Sequence, residues 1–137
     1  MPTDREEDYL EAILHVERKD GHARVGDIAK HLDCSAATVT EMFVRLSKKG
    51  LVNYEKYGGV TLTEKGRKVG EDVDMRHSIL RDLLIELGID ENIADEDACV
   101  IEHRIHKQTM TRIRVLLELL RSEPGLKEKL RYCTDGK

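Results

Sequence analysis

The chain has 137 residues, 36% of them charged, with a formal net charge of -4. No stretch approaches the roughly 18 apolar residues of a membrane span, and the charged start MPTDREEDYLEAI has no apolar leader, so the expected location is the cytoplasm. Aromatics at 4% and the absence of Trp argue against a large aromatic-lined pocket and hence against an organic cofactor. Three widely spaced cysteines, Cys34, Cys99 and Cys133, argue against a disulfide framework.

Residues 4–19 place Tyr9, Ile13 and Val16 at helical spacing, with Leu10 and Leu14 beside them, and Gly21 is the stop signal of a first amphipathic helix. A second short helix fits RVGDIAKHL, where Val25, Ile28, Ala29 and Leu32 share one face. Asp33 and Cys34 form a tight turn, and Ser35 caps a third helix in which Val39, Phe43 and Leu46 form the apolar stripe. Two short helices joined in this way predict a helix-turn-helix. After Gly50 the pattern becomes strand-like, and LVNYEKYGGVTLT predicts a β-hairpin turning at Gly58-Gly59, the wing of a winged helix. Thr63 precedes a long helix that starts basic, turns acidic and closes at Gly88. Two further helices are predicted, one around residues 91–106 and one across MTRIRVLLELLRS, before Pro124-Gly125 and a polar tail. The fold class is thus mainly α with a small β-hairpin. The expected domains are a winged helix-turn-helix over 1–70 and a helical domain over 71–137.

Charge is unevenly distributed. Arg24 to Lys68 holds nine Lys or Arg against five Asp or Glu, a segment suited to a polyanion. Glu71 to Glu102 holds eleven carboxylates against Arg76 and Arg81 alone, which is either a solvated acidic face or a cation site. Within that stretch Cys99, Glu102 and His103 stand at i, i+3 and i+4, which brings a thiol, a carboxylate and an imidazole to one side of a helix. Asp8 and Glu11 form a carboxylate pair in the first helix, and His77 lies late in the long helix. Each group alone is equally a surface feature or a packing residue, and spacing by itself does not join them.

The sequence resembles the iron- and manganese-dependent repressors of the diphtheria toxin repressor and manganese transport regulator type, in a two-domain form without an SH3-like domain. The resemblance is carried by EDYLEAI, ARVGDIAKHLDCSAATVTEMFVRLSKKGLV, YEKYGGVTLTEKG, MRH at 75–77 and DACVIEH at 97–103. It implies a DNA-binding transcriptional repressor, not an enzyme, that regulates metal homeostasis as a homodimer. It assigns metal binding and dimerization to the helical domain over 71–137. It also implies that Asp8, Glu11, His77, Cys99, Glu102 and His103 are metal ligands, and that residues 71–121 supply the dimerization helices, with Ile79, Leu83, Leu116 and Leu119 as their apolar contacts. The expected corepressor is Mn²⁺ or Fe²⁺, with Co²⁺ or Zn²⁺ able to bind in vitro. Cys99 follows the iron-type members, whereas Asp8 and Glu11 follow the manganese type. Arg81 and Asp95 stand where some relatives place ligands of an ancillary ion, and Arg81 cannot bind a cation.

On the DNA side, Ser35, Ala37, Thr38, Thr40 and Glu41 lie at the exposed N-terminal part of the recognition helix and are the expected base readers. Arg45, Lys48, Lys49 and the wing residue Lys56 suit phosphates. His15, His22, His31 and His106 are read as surface or packing residues, as are Cys34 and Cys133. A competing reading is a thiol-redox or small-ligand-responsive winged-helix regulator with Cys99 as sensor. A hydrolytic metalloenzyme is disfavoured because the sequence has no HExxH, no Gly-rich phosphate loop and no nucleophile elbow.

Overall fold

The structure is a computed structural model that describes residues 2–135, the side chains at 131, 132, 134 and 135 excepted. The chain divides into two compact units, Met1–Asp74 and Met75–Lys137. The first contains α1 (Asp4–Asp20), α2 (Val25–Leu32), α3 (Ala36–Lys48), β1 (Val52–Glu55), β2 (Gly59–Leu62) and the first part of α4 (Glu64–Glu86). The second contains the rest of α4, then α5 (Glu91–Ile101), α6 (Lys107–Ser122) and α7 (Pro124–Asp135).

The helices of the first unit begin and end where local chemistry says they should. Thr3 accepts from the Glu6 backbone N–H while the Glu6 carboxylate accepts from Thr3 N–H, a reciprocal cap that opens α1. Gly21 ends it in the left-handed region. Asp33, also left-handed with φ 52°, makes the turn between α2 and α3, and the Ser35 hydroxyl caps α3 by accepting from Thr38 N–H. The predicted helix-turn-helix is therefore present.

The hairpin pairs Val52 with Leu62 and Glu55 with Gly59 in antiparallel register. A bridge from Ala23 to Val60 adds a short third edge. Tyr9, Leu10, Ile13, Leu14, Ile28, Val39, Phe43 and Leu46 are fully buried in one core that β1 and β2 close with Val52, Val60 and Leu62. Phe43 meets Tyr54 edge-to-face at 5.4 Å between ring centroids. Gly66 lets α4 seat against the hairpin: a Cβ there would stand 1.8 Å from the Leu51 carbonyl oxygen.

The second unit has a smaller core in which Leu80, Ala98 and Met110 are packed by Ile79, Ile105 and Ile113. Ile79 is partly buried against this core and Leu83 is buried, whereas Leu116 and Leu119 remain 43% and 49% exposed. Pro124-Gly125 does not open a polar tail but starts α7. Proline has no N–H to leave unbonded in a first helical turn, so it begins this helix as readily as it would break one. Among the described residues no helix is long and apolar enough to cross a membrane.

Candidate metal centre and nucleic-acid interface

In the second unit, α4 carries His77 and α5 ends at a cluster of donor atoms. Cys99 lies in the last turn of α5, Glu102 is its C-terminal cap, and His103 follows in the turn beyond. The three residues predicted on one helix are therefore spread across its end, because the helix stops at Ile101. Cys99 and Glu102 meet His77 of α4 there, whereas His103 approaches Glu102 alone of the three. His77 Nδ1 lies 2.7 Å from Glu102 Oε2 and 3.7 Å from Cys99 Sγ. Ligand atoms of His77, Cys99 and Glu102 all fall within 4.8 Å of one another.

Burial makes this cluster more than a surface coincidence. Glu102 is only 1% exposed, and its Oε1 accepts no hydrogen bond among the described residues, although His103 Nε2 stands 3.4 Å away. A carboxylate oxygen removed from water without a donor is costly, by about 1–3 kcal/mol or more for a charged group. A cation beside it would satisfy that oxygen, and the C-terminal end of α5 favours positive charge. Imidazole nitrogen, thiol sulfur and carboxylate oxygen together form a donor set for a first-row transition ion. The residues fit such a metal.

Asp8 and Glu11 are in the first unit, one turn apart on α1 and both partly buried. Arg5 pairs with Asp8 at 3.8 Å. Glu11 groups with His15 and Asp74, with one potential ligand atom from each within 4.8 Å of the others. His15, read from sequence as a surface or packing residue, has its Nε2 2.7 Å from Asp74 Oδ1, and Arg18 reaches the other oxygen at 3.1 Å. Burial would raise the Asp74 pKa, but the hydrogen bonds and charges of His15 and Arg18 outweigh it and hold the carboxyl below its ordinary value. Sequence spacing gives no sign of this pairing, because the partners are 59 residues apart.

Of the DNA-facing candidates, Ser35, Ala37, Thr38, Glu41, Arg45, Lys48 and Lys56 are all exposed. Three hydroxyls are already engaged: those of Ser35 and Thr38 lie 2.8 Å apart, and Thr40 donates to the Ala36 carbonyl at 2.9 Å. Lys56 Nζ sits 5.6 Å from the Tyr57 ring centre at the hairpin tip, and Tyr57 is 90% exposed. Lys49, expected on phosphate, instead pairs with the buried Glu6 at 2.8 Å.

Residues 1–60 match the family model described as the iron dependent repressor N-terminal DNA binding domain. Residues 63–131 match that described as the iron dependent repressor metal binding and dimerisation domain. The chain is 38% identical over 130 residues to an HTH-type transcriptional regulator MntR from Lysinibacillus sphaericus (strain C3-41), covering 95% of this chain and 94% of that protein. It is 40% identical over 124 residues to the HTH-type transcriptional regulator MntR of Oceanobacillus iheyensis, covering 90% of this chain and 84% of that one. Among solved structures it is similar to a manganese-dependent transcriptional repressor in complex with manganese, with a TM-score of 0.75 at 30% identity. That likeness covers 82% of this chain and 52% of the solved one, so this chain spans about half of its length.

Proposed function

The chain belongs to the iron-dependent repressor family, and from that premise we propose a homodimeric repressor that binds a double-stranded DNA operator with Mn²⁺ or Fe²⁺ as corepressor. The observation that carries the metal half of this reading is the Glu102 carboxylate, buried, short of one hydrogen bond and facing the imidazole of His77. The proposed ligands are His77, Cys99, Glu102 and His103 from the second unit with Asp8 and Glu11 from the first. A divalent ion bound by them would offset the repulsion among the carboxylates.

The rest of the mechanism belongs to the chain itself. The recognition helix α3 presents Ala37, Thr38 and Glu41 for base edges, with Ser35 and Thr40 beside them, while Arg45, Lys48 and Lys56 meet phosphates. Two winged helices in a dimer read half-sites about 34 Å apart. The exposed Leu116 and Leu119 supply apolar contact between subunits. Metal and DNA then act on one equilibrium, and a coupling of about 1–3 kcal/mol makes a useful switch.

The test starts from duplexes selected out of a randomised pool by the Mn²⁺-loaded protein. Their affinity is then measured by anisotropy with Mn²⁺, Fe²⁺, Co²⁺ or Zn²⁺ and with chelator, under anaerobic reducing conditions. Chelator is expected to abolish specific binding, and Mn²⁺ or Fe²⁺ to restore it. Equal affinity with and without metal would remove the corepressor role while leaving the winged helix intact.

A further inference from the structure

His77 is held at both ring nitrogens. Nδ1 faces Glu102 at 2.7 Å and Cys99 at 3.7 Å, and on the opposite edge Nε2 lies 2.7 Å from Asp95 Oδ1. A neutral imidazole has one N–H and one lone pair, so it cannot donate to both carboxylates at once. With the N–H on Nε2, donated to Asp95, the lone pair of Nδ1 points at the thiol and at Glu102. A cation on that edge would meet the ring nitrogen, the sulfur and the carboxylate together. The opposite tautomer would aim the Nε2 lone pair at the Asp95 carboxylate.

We propose that Asp95 is the positioning residue of this centre: it takes the Nε2–H of His77 and thereby fixes Nδ1 as the ring's ligand atom. Asp95 sits one helical turn before Cys99 on α5, so the helix that carries the thiol also carries the group that aims the imidazole. The inference rests on the metal-binding reading above and adds to it a residue outside the proposed ligand set.

Asp95 does not act as a ligand itself, and the reason is Arg81. Its Nε lies 3.4 Å from the same Asp95 Oδ1, and its other nitrogens reach Glu91 at 2.6 Å and Asp82 at 3.8 Å. One guanidinium thus sits among three carboxylates as a fixed positive charge. A divalent ion bound to Asp95 would be repelled by it, whereas a neutral N–H from His77 is not. Arg81 also restrains an otherwise mobile side chain, since Asp95 is 54% exposed and would gain little order from burial.

The test titrates the full-length protein with Co²⁺ by calorimetry and records the cobalt absorption spectrum for wild type, Asp95→Ala and Asp95→Asn. Nitrogen chemical shifts of the His77 ring are measured in each protein as well. Asp95→Ala is expected to weaken Co²⁺ binding by about 10–100-fold at unchanged stoichiometry and to shift the His77 ring toward a mixture of tautomers. Asp95→Asn should restore most of the affinity, because its amide oxygen accepts the same N–H. Wild-type affinity in Asp95→Ala would overturn the assignment. So would an Asn variant that loses as much as the Ala variant and binds one ion fewer per chain, which would make Asp95 a ligand. Failure of the wild type to bind Co²⁺ at all would instead sink the metal reading and this inference with it.

Discussion

Lys49 Nζ, at the C-terminal end of α3, lies 2.8 Å from the carboxylate of Glu6 in the first turn of α1, 43 residues away. Glu6 is fully buried and also closes the cap of its own helix through Thr3, so one carboxylate fixes the start of α1 and the end of the recognition helix together. Burial would push its pKa up. The Lys49 hydrogen bond, the Thr3 backbone N–H and the Lys49 charge outweigh burial and hold the carboxyl below its ordinary value.

Lys49→Met should therefore destabilise the protein by about 1–2 kcal/mol at neutral pH, since it strands a buried acceptor, the figure being held down by the half-exposed ammonium. Glu6 has a lower pKa folded than unfolded, so its contribution is complete above the ordinary carboxyl pKa and is lost as pH falls through the depressed one. The gap between wild type and variant should be full at neutral pH and shrink only below about pH 4. Urea denaturation in the two pH ranges measures both, and a gap independent of pH would show that Lys49 acts through packing alone.

Metal activation and assembly should be separable. His103→Ala and Glu102→Gln are expected to lose most metal-activated DNA binding while sedimenting as dimers, because neither belongs to the exposed apolar surface of α6. Leu116→Arg combined with Leu119→Arg should do the reverse, giving monomers, since both leucines are about half exposed within the subunit. Sedimentation velocity distinguishes the two classes. Monomeric His103→Ala protein would place the ligand cluster at the subunit contact.

For DNA, Lys48→Ala should weaken binding nearly independently of sequence and reduce the salt slope by about one, as expected for a phosphate contact. Lys49 is engaged with Glu6, so Lys49→Met should leave the salt slope unchanged at temperatures where it is folded. Anisotropy titrations across a range of salt concentrations measure both slopes, and equal slopes for Lys48→Ala and wild type would remove Lys48 from the interface.

Cys99→Glu should shift selectivity toward Mn²⁺, because a carboxylate is harder than a thiolate and thiolate favours Fe²⁺, Co²⁺ and Zn²⁺. Zn²⁺ is expected to bind the wild type tightly yet activate weakly, since a tetrahedral ion leaves some of the six proposed ligands unused. Affinity and activation measured for Mn²⁺, Fe²⁺ and Zn²⁺ in both proteins test this. Unchanged values for all three ions would make Cys99 a packing residue rather than a ligand.

The winged helix was legible in the sequence because its signals are local: apolar positions repeat at helical spacing in α1 to α3, Ser35 and Gly21 punctuate them, and Gly58-Gly59 turns the hairpin. The i, i+3, i+4 spacing of Cys99, Glu102 and His103 likewise fixes their proximity in any helical or near-helical path. Local signals failed where one residue serves two purposes, as Pro124 does: as a first helical residue it begins α7, although its pattern reads equally as a stop.

Partnership between distant residues was decided by tertiary structure alone. Sequence presents His77, Asp95 and Arg81 as separate charges on two helices. Only the packing of α4 with α5 sets Asp95 on one edge of the imidazole and Glu102 on the other. Lys49 reads as a free cation for phosphate until the fold buries Glu6 beside it, and His15 finds Asp74 only because α1 and α4 lie side by side in the first unit. The physical reason is common to all three. Periodicity and capping depend on neighbours within a turn of helix, whereas the partner of a charged side chain is set by which elements pack together and by how much water that packing removes.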